Sequence, residues 1–442
     1  MKYIYLLISA LLFVACSSTK EVVGIIKEPK KPMEVYDLTH IPQEVRFFTK
    51  DLNNSDNIYD IQKEYEKYYF NVWNDLVPRE SQEAIKWPFK LYKSGNSYGE
   101  NLQLLKQSFF DAMLENANFS SYGSVNKRAI STKHLSIRSF PTDKPLLRDP
   151  KKAGEGFPFD YLQNTTIQAN KPLFISHYSK DRAWIYIFSS FASGWVKSRD
   201  IAIIKQEHVE LWQKAKQIIF IKENIPLYAQ DGTFLFYSKI GTILPLISVN
   251  KNSFTVLAIS SHATTEPLFQ RVVISKDIAL RNVLSINKDA LDIVMNEIIK
   301  SNYGWGGLYG QRDCSSTLRD MYAPFGIWLP RNSSQQAKVG KVINLKDLNN
   351  EEKIDTIKEQ GIPFETLLYK QGHIVLYVGI LDDEIIIFHN TWGVKTKKEN
   401  KDGRFVIGKT LFSTLKLGKN LKNYDESSEL LRNLESMNII TH

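Results

Sequence analysis

Cysteine usage limits the ways in which this chain can be stabilised. The sequence has 442 residues but only two cysteines, Cys16 near the N-terminus and Cys314 in the C-terminal third. Two cysteines allow at most one disulfide, so the fold must depend on hydrophobic cores. Because a single core rarely extends beyond about 250–300 residues, the length predicts about two to four domains.

Cys16 ends an apolar N-terminal stretch. Lys2 supplies a positive charge, residues 3–14 are mainly apolar, and Ala15 is a small residue directly before the cysteine. The stretch is shorter than the roughly 20 residues that span a bilayer, and it resembles a bacterial lipoprotein signal. That resemblance implies a signal peptide at 1–15, lipid attachment at Cys16 and, because Ser17 follows, the outer membrane. A plain signal peptide with an incidental cysteine is the alternative.

The charge balance fits an envelope protein. The formal net charge is +9 and stays positive without residues 1–15, which contain one lysine and no acid. A basic protein outside the cytoplasm suits anionic lipid or the carboxylate-rich peptides of cell wall. The sequence has no dense Lys/Arg block, so nucleic acid is not an expected partner. If Cys16 carries lipid, Cys314 is the one free thiol and no internal disulfide forms.

The N-terminal third contains two stretches with different sequence patterns. Residues 16–40, with Pro29 and Pro32, lack apolar periodicity and predict an extended tether. Residues 41–127 predict a helical domain with a packing role and no chemical motif. The apolar positions that recur at three to four residues there are Ile58, Ile61, Tyr65, Tyr68, Tyr69 and Val72, followed by Leu102, Leu105, Phe109 and Met113.

Residues 128–285 change to short β runs separated by turn residues, which predicts small barrels. The pentapeptide Ser-Arg-Asp-Ile-Ala at 198–202 recurs as Ser-Lys-Asp-Ile-Ala at 275–279. We therefore expect two barrels, at 128–208 and 209–285. The Gly-Trp-Val at 194–196 before the first copy resembles the end of a bacterial SH3-like domain. Two unrelated β segments with a chance match are the alternative.

Cys314 is the candidate nucleophile of the C-terminal domain, residues 286–442. Leu318, Tyr322 and Phe325 follow it at helical spacing, with Pro324 near the end, so Cys314 is expected to begin a helix. Helix N-terminal amides and the helix dipole stabilise a thiolate and lower the pKa of the thiol. A cysteine in this place also fits a plain buried side chain.

His373 is the candidate base. It heads the apolar run 374–378, a predicted strand, and a second predicted strand at 384–388 ends in His389 and Asn390. His389 could hold the far nitrogen of the His373 imidazole and fix its tautomer, as the third member of a triad does. Asn390 is the alternative for that role, and a lone histidine at a strand end is often only structural.

Taken together and in this order, the motifs resemble those of the NlpC-type cell-wall cysteine peptidases. The stretches that carry the resemblance are Tyr-Gly-Trp-Gly-Gly at 303–307, Asp-Cys-Ser at 313–315, Leu-Pro-Arg-Asn-Ser-Ser-Gln-Gln at 329–336, Gly-His-Ile-Val-Leu-Tyr-Val-Gly at 372–379 and Phe-His at 388–389. The loop 154–161 resembles the long loop of the first SH3-like domain in one branch of these enzymes. One departure is Ser316, where the family more often has glycine, and it leaves the fine shape of the cleft open.

The resemblance implies a role for each matching residue. Cys314 is the nucleophile, His373 its base and His389 the orienting residue, while the Tyr303 hydroxyl and the Cys314 amide stabilise the oxyanion. The substrate-binding residues implied are Asp313, Ser315 and Tyr161, with Asp313 beside a free amine of the substrate; Asp313 could also be a helix N-cap. The implied reaction is cleavage of the γ-D-glutamyl–diamino acid bond of peptidoglycan stem peptides, without a cofactor or a metal.

These expectations define a multidomain α+β envelope lipoprotein with an N-terminal helical domain, two SH3-like β-barrels and a C-terminal papain-like cysteine peptidase domain. Its expected partners are peptidoglycan stem peptides and, through the N-terminal lipid, the membrane; the sequence gives no oligomeric state. Alternatives are a catalytically inactive wall-binding lipoprotein and a papain-like acyltransferase or amidase, which shares the thioester chemistry. A zinc hydrolase is disfavoured because no H-E-x-x-H or H-x-x-E-H motif occurs.

Overall fold

The computed structural model describes residues 35–52, 61–260 and 266–441, and at residues 61 and 62 the backbone only. The predicted signal peptide, Cys16, most of the tether and Ile58 lie outside the described residues. The described residues from Val35 onward group as one compact unit. Within the described part of that unit, no helix has both the length and the apolar character needed to cross a membrane.

The N-terminal domain is built from short helices. Its α-helices in the described residues are α1 (Tyr36–His40), α2 (Val45–Thr49), α3 (Ile61–Phe70), α4 (Gln82–Ile85), α5 (Trp87–Leu91) and α6 (Gln107–Asn116). Local sequence sets several boundaries: the Ser81 hydroxyl accepts a hydrogen bond from the Ala84 amide at the start of α4, and Pro88 lies in the first turn of α5. The helices bury aromatic side chains against the first β-sheet, where the Trp73 indole donates to the Ala129 carbonyl at 2.9 Å.

Two expectations for this region are corrected. The end of the predicted tether is not extended, because Val35 is fully buried and Asp37 in α1 accepts hydrogen bonds from the Thr414 amide and hydroxyl at 2.7 and 2.9 Å. The apolar period of 102–113 is helical only from Gln107, because Leu102 has a positive φ of 61° and lies in a turn.

The first β domain is a seven-stranded sheet with the order β3-β2-β6-β5-β4-β1-β7. Its strands are β1 (Lys127–Ser131), β2 (Leu135–Arg138), β3 (Gln163–Ile167), β4 (Pro172–Tyr178), β5 (Trp184–Phe188), β6 (Ser193–Lys197) and β7 (Ile201–Ile203). All five residues of β5 are buried. Ile185 and Ile187 face the core of the sheet, whereas Tyr186 and Phe188 pack with the aromatic residues of the N-terminal helices. The domain therefore has two packed faces.

The second β domain follows the helix α7 (Gln206–Lys214). Its strands are β8 (Gln217–Phe220), β9 (Pro226–Tyr228), β10 (Phe234–Tyr237), β11 (Ile243–Val249), β12 (Ser253–Ser260), β13 (Leu268–Ser275) and β14 (Ala279–Leu280). The repeated pentapeptide has the same structural position in both domains. Each copy leads into a short last strand that pairs antiparallel with the first strand, β7 with β1 and β14 with β8. The repeat thus marks equivalent closing strands.

The C-terminal domain packs helices on a six-stranded sheet of order β15-β20-β16-β17-β18-β19. Its elements are α8 (Lys288–Ile298), α9 (Cys314–Tyr322), α10 (Ser333–Gln336), β15 (Lys341–Asn344), α11 (Asn350–Gln360), β16 (Thr366–Lys370), β17 (His373–Leu381), β18 (Glu384–Lys398), β19 (Lys401–Thr414) and β20 (Ser436–Ile439). Helix α9 is buried along its whole length and packs against β17 and β18. The predicted multidomain α+β class is confirmed.

One strand differs from its sequence prediction. We expected the strand after residue 384 to end at His389, but β18 continues to Lys398 and pairs with β19 as far as Lys401. The polar residues after His389 hid this extension, because half-exposed hairpin strands alternate polar and apolar side chains. The long β18–β19 hairpin forms one wall of the site described next.

Candidate active site

Cys314 lies at the first turn of α9, as its sequence position predicts. Asp313 is the N-cap residue: its carboxylate accepts from the Ser316 amide at 2.9 Å, and the Ser316 hydroxyl accepts from the Asp313 amide at 2.9 Å. This reciprocal pair is a capping box, which satisfies amides that a helix start leaves free. Ser316, the departure from the usual glycine, therefore holds the turn that presents Cys314.

Two histidines follow Cys314 into the same site. His373 is the first residue of β17, and its Nε2 lies 2.9 Å from Nδ1 of His389 on the neighbouring strand β18. Nε2 of His389 in turn lies 3.0 Å from the Ser413 hydroxyl on β19. Asn390, the alternative orienting residue, instead donates to the Asn302 carbonyl at 3.2 Å. The imidazole of His373 is thus held by a second imidazole across adjacent strands.

A cavity of about 450 Å³ brings the candidate residues together. Its walls include Cys314, His373, His389 and Tyr303, together with Tyr161 from the first β domain. The remaining lining comes mainly from the 154–161 loop, the 303–305 segment and the β18–β19 hairpin. We find no hydrogen bond between the Cys314 thiol and the His373 imidazole in the described structure, and such bonds often form only when substrate is bound.

Asp313 and Ser315 flank the nucleophile in the chain, and their expected roles as substrate ligands stay predictions. The Asp313 carboxylate is paired with the buried Arg331 guanidinium at 2.5 Å and accepts from Ser316. Ser315 donates to the Asp313 carboxylate at 3.3 Å and accepts from Arg331 at 2.9 Å. Their hydrogen-bonding groups are engaged within the protein, so Asp313 is an N-cap and ion-pair partner rather than a free carboxylate.

The protonation of the thiol also differs from the expectation. Burial, reinforced by the Asp313 charge, raises the pKa of Cys314 to about 12 although the amides of Ile374 and Ser315 and the Arg331 charge favour the thiolate. Burial also lowers the pKa of His373 to about 4, with a further lowering from the Lys370 charge. Burial therefore favours the neutral thiol and the neutral imidazole, and a neutral imidazole is competent to accept the thiol proton.

Tyr303 lies beside Cys314 in the cavity and begins a glycine-rich loop. Burial, and next the nearby Cys314 and Asp313 charges, raise the pKa of Tyr303, so its hydroxyl remains a hydrogen-bond donor. Gly306 has a φ of 57°, and a Cβ there would lie 2.6 Å from the Gln163 carbonyl oxygen of the first β domain. The Gln163 side chain donates to the Gly306 carbonyl at 3.0 Å. The glycines after Trp305 therefore allow close docking of the two domains at the site.

Aromatic rings from two domains close one side of the cavity. Phe159 packs edge-on against Trp305 and Trp392 with centroid separations of 5.3 and 5.6 Å, and Tyr161 lies 5.3 Å from Trp305. Tyr161 was predicted to lie near the cleft, whereas Trp392, Phe159 and Arg331 had no predicted role. Arg331 lies in the Leu-Pro-Arg stretch that carried the family resemblance, so that motif was the available signal. No sequence signal indicated Trp392, because its strand was expected to end earlier.

The fold and the site define a thiol hydrolase of the cysteine peptidase class. Successive stretches match four family models: the NLPC_P60 stabilising domain (N term) at 5–122, an SH3 domain of SH3b1 type at 145–197, an SH3 domain of SH3b2 type at 206–250 and the NlpC/P60 family at 300–409. The chain belongs to the NlpC/P60 family, in the branch with a stabilising domain and two SH3 domains, and it is a peptidoglycan hydrolase. The predicted family and domain types are confirmed.

A solved structure shares this architecture. An NlpC/P60 endopeptidase from Photobacterium damselae subsp. piscicida superposes with a TM-score of 0.81 at 23% identity, covering 91% of this chain and 98% of that chain. An NlpC/P60 family protein from Bacillus cereus gives a TM-score of 0.47 at 15% identity, covering 71% and 99% of the two chains. No curated protein sequence matches the chain. The first similarity shows that the order and packing of all the described domains recur in another protein.

Proposed function

We propose that this protein is a cysteine endopeptidase that cleaves the γ-D-glutamyl–diamino acid bond of peptidoglycan stem peptides. The observation that carries the proposal is the single cavity in which a thiol at a helix start meets an imidazole that is held by a second imidazole. The loop of the first SH3 domain closes this cavity on one side. A closed end suits an enzyme that cuts near the end of a short peptide.

The residues support a two-step hydrolysis. His373 takes the Cys314 proton as the sulfur attacks the γ-carbonyl carbon, and the Tyr303 hydroxyl and the Cys314 amide stabilise the resulting oxyanion. The C–N bond then breaks, His373 gives its proton to the leaving amine of the diamino acid, and a thioester remains on Cys314. In the second step His373 takes a proton from water, which attacks the thioester and releases the glutamyl product and the thiol.

The aromatic wall supports a preference for fragments with a free L-alanine amine. Asp313, beside the nucleophile and paired with Arg331 at 2.5 Å, is the carboxylate that we propose to receive this amine, and Tyr161 lines the cavity on the side of the first SH3 domain. A charge-assisted hydrogen bond contributes about 1.5–3 kcal/mol, or about a ten- to hundredfold preference. A stem peptide still joined to muramic acid has no such amine.

The test compares three substrates: the free tripeptide L-Ala-γ-D-Glu-diaminopimelate, its N-acetylated form, and muropeptides still attached to muramic acid. Mass analysis of the products identifies the bond, and Cys314→Ala is the matched inactive control. We expect cleavage between D-glutamate and the diamino acid, with the free tripeptide preferred by at least about tenfold. Equal cleavage of all three substrates would remove the closed-cavity argument. Products from another bond would overturn the proposed specificity.

We further propose that the enzyme acts in the bacterial cell envelope, anchored by lipid at Cys16. The N-terminal sequence supports this proposal. Cys16→Ala should abolish labelling by a radioactive fatty acid and release the protein from the detergent fraction. A processed Cys16→Ala protein that still fractionates with membranes would show that the anchor lies elsewhere. Because single acyl chains bind membranes only marginally, firm attachment requires more than one.

A further inference from the structure

The charges on the wall of the active-site cavity are all of one sign. Among the described residues that line it, three are cationic, Lys370, Lys395 and Arg404, and none is acidic. Lys395 is already paired, with its Nζ 3.3 Å from an Asp425 carboxylate oxygen and 3.7 Å from one of Asp402. Lys370 and Arg404, by contrast, form no ion pair or hydrogen bond through their side chains with the rest of the described structure.

Both unpaired cations border the cavity that contains the reacting groups. Lys370 ends β16 and faces His373 in register across a two-residue turn. Arg404 lies on β19 opposite Lys395, and its guanidinium packs against Gly154 of the SH3 loop, where an added Cβ would clash with it. The guanidinium is therefore held between the hairpin and the loop that closes the cavity.

The two cations also affect each other. Burial lowers the pKa of Lys370, and the Arg404 charge lowers it further, whereas Glu435 and the Cys314 charge raise it. Glu435 does not line the cavity and makes no ion pair with Lys370 among the described residues. The two cations border the same cavity, so an anion bound there would interact favourably with both of them.

We propose that Lys370 and Arg404 form a subsite that binds a carboxylate of the stem peptide during cleavage. This inference rests on the proposed function. A guanidinium binds a carboxylate through two parallel hydrogen bonds and an ammonium adds a point charge, so the pair matches one carboxylate group. A stem peptide offers that chemistry in two places, the α-carboxylate of the γ-linked D-glutamyl residue and the carboxylates of the diamino acid.

The test changes the substrate and the enzyme together. The free tripeptide is compared with one in which the D-glutamyl α-carboxylate is an amide and with one in which the diamino acid carboxylates are amides. Wild-type enzyme should lose about ten- to hundredfold in kcat/KM on one of the two amides, which identifies the carboxylate bound. Lys370→Gln and Arg404→Gln should lose a similar factor on the acid and should discriminate little between acid and amide.

Lys398→Gln is the matched control, because Lys398 is exposed on the same strand as Lys395 and lies outside the cavity wall. It should keep the wild-type preference for the acid. An unchanged acid-to-amide ratio in both Lys370→Gln and Arg404→Gln would overturn the subsite. If either variant fails to fold, the wild-type comparison still decides, since equal cleavage of acid and both amides excludes the subsite. Failure of wild-type enzyme to cut any of these substrates at this bond would instead reject the proposed function.

Discussion

The helix that begins at Cys314 borders two regions with opposite arrangements of charge. In front of it, the catalytic cavity contains two cations without partners, Lys370 and Arg404. Behind it, a smaller cavity of about 170 Å³ is bordered by Arg312, Arg319 and Asp320, whose charges are paired. The difference separates charges that hold the protein together from charges available to a ligand.

The paired region behind the helix joins domains. Arg312, in the peptidase domain, binds Glu223 of the second SH3 domain at 2.6 Å and Asp320 of α9 at 2.9 Å. Lys239 adds a contact to Glu223 at 3.0 Å. These ion pairs join the second SH3 domain to the peptidase domain at α9. The cations in front form no such ion pairs within the described structure.

The largest expected effect is on catalysis in the cavity in front of α9. Cys314→Ala and His373→Ala should each lower kcat by at least about 10⁴-fold, because thiol and base act in the same step. Their double variant should be little worse than either single one, since neither group works without the other. Steady-state kinetics on the tripeptide measure this, and thermal unfolding shows whether the fold is kept. Retained turnover above a trace in Cys314→Ala would reject the thiol mechanism.

The next largest effect is on the free energy of unfolding and concerns the ion pairs behind α9. Arg312→Met leaves the buried carboxylates of Glu223 and Asp320 without their main partner, which should cost about 3–5 kcal/mol of unfolding free energy. Lys197→Gln is the control, because its pair with Asp143 lies at the surface and should contribute about 0–1 kcal/mol. Urea unfolding measures both. Equal small losses would mean that the ion pairs behind the helix do not hold the domains.

A smaller effect on activity tests the histidine pair. His389→Ala should lower kcat by about 10²-fold, less than His373→Ala, because the base remains but loses the group that holds it. Ser413→Ala, one hydrogen bond further from His373, should lower it less. The order is checked by kinetics at one pH with matched thermal stability. A loss in His389→Ala as large as in His373→Ala would give His389 a direct part in proton transfer.

The two regions also differ in how far the sequence predicts them. Cys314 and His373 were predicted because each lies in a local motif whose helix or strand follows from periodicity. The ion pairs of Arg312 with Glu223 and of Arg331 with Asp313 were not, because partners 89 and 18 residues apart are brought together only by tertiary packing. The sequence alone does not show which charged side chains form ion pairs. The roles expected for Asp313 and Ser315 as substrate ligands stay predictions.

The thiol shows the same limit. The sequence located Cys314 at a helix start and so predicted a lowered pKa, but it could not show that burial and Asp313 outweigh the helix amides. The SH3 repeat, in contrast, was predictable because the closing strands have the same local sequence in both domains. The extension of β18 was missed because polar residues on a half-exposed hairpin do not distinguish a strand from a loop.

The smallest effect joins the catalytic pair to the unpaired cations, through the pH dependence of kcat/KM. His373 can accept the thiol proton only when neutral, so activity should fall as pH drops through its pKa of about 4 rather than through the ordinary 6.5. Because the Lys370 charge helps to lower that pKa, Lys370→Gln should move the acid limb to higher pH by up to about one unit. Loss of carboxylate binding alone would lower kcat/KM at every pH without moving the acid limb. Lys398→Gln should leave the limb in place, and an unmoved limb in Lys370→Gln would show that this lysine serves the substrate without acting on the base.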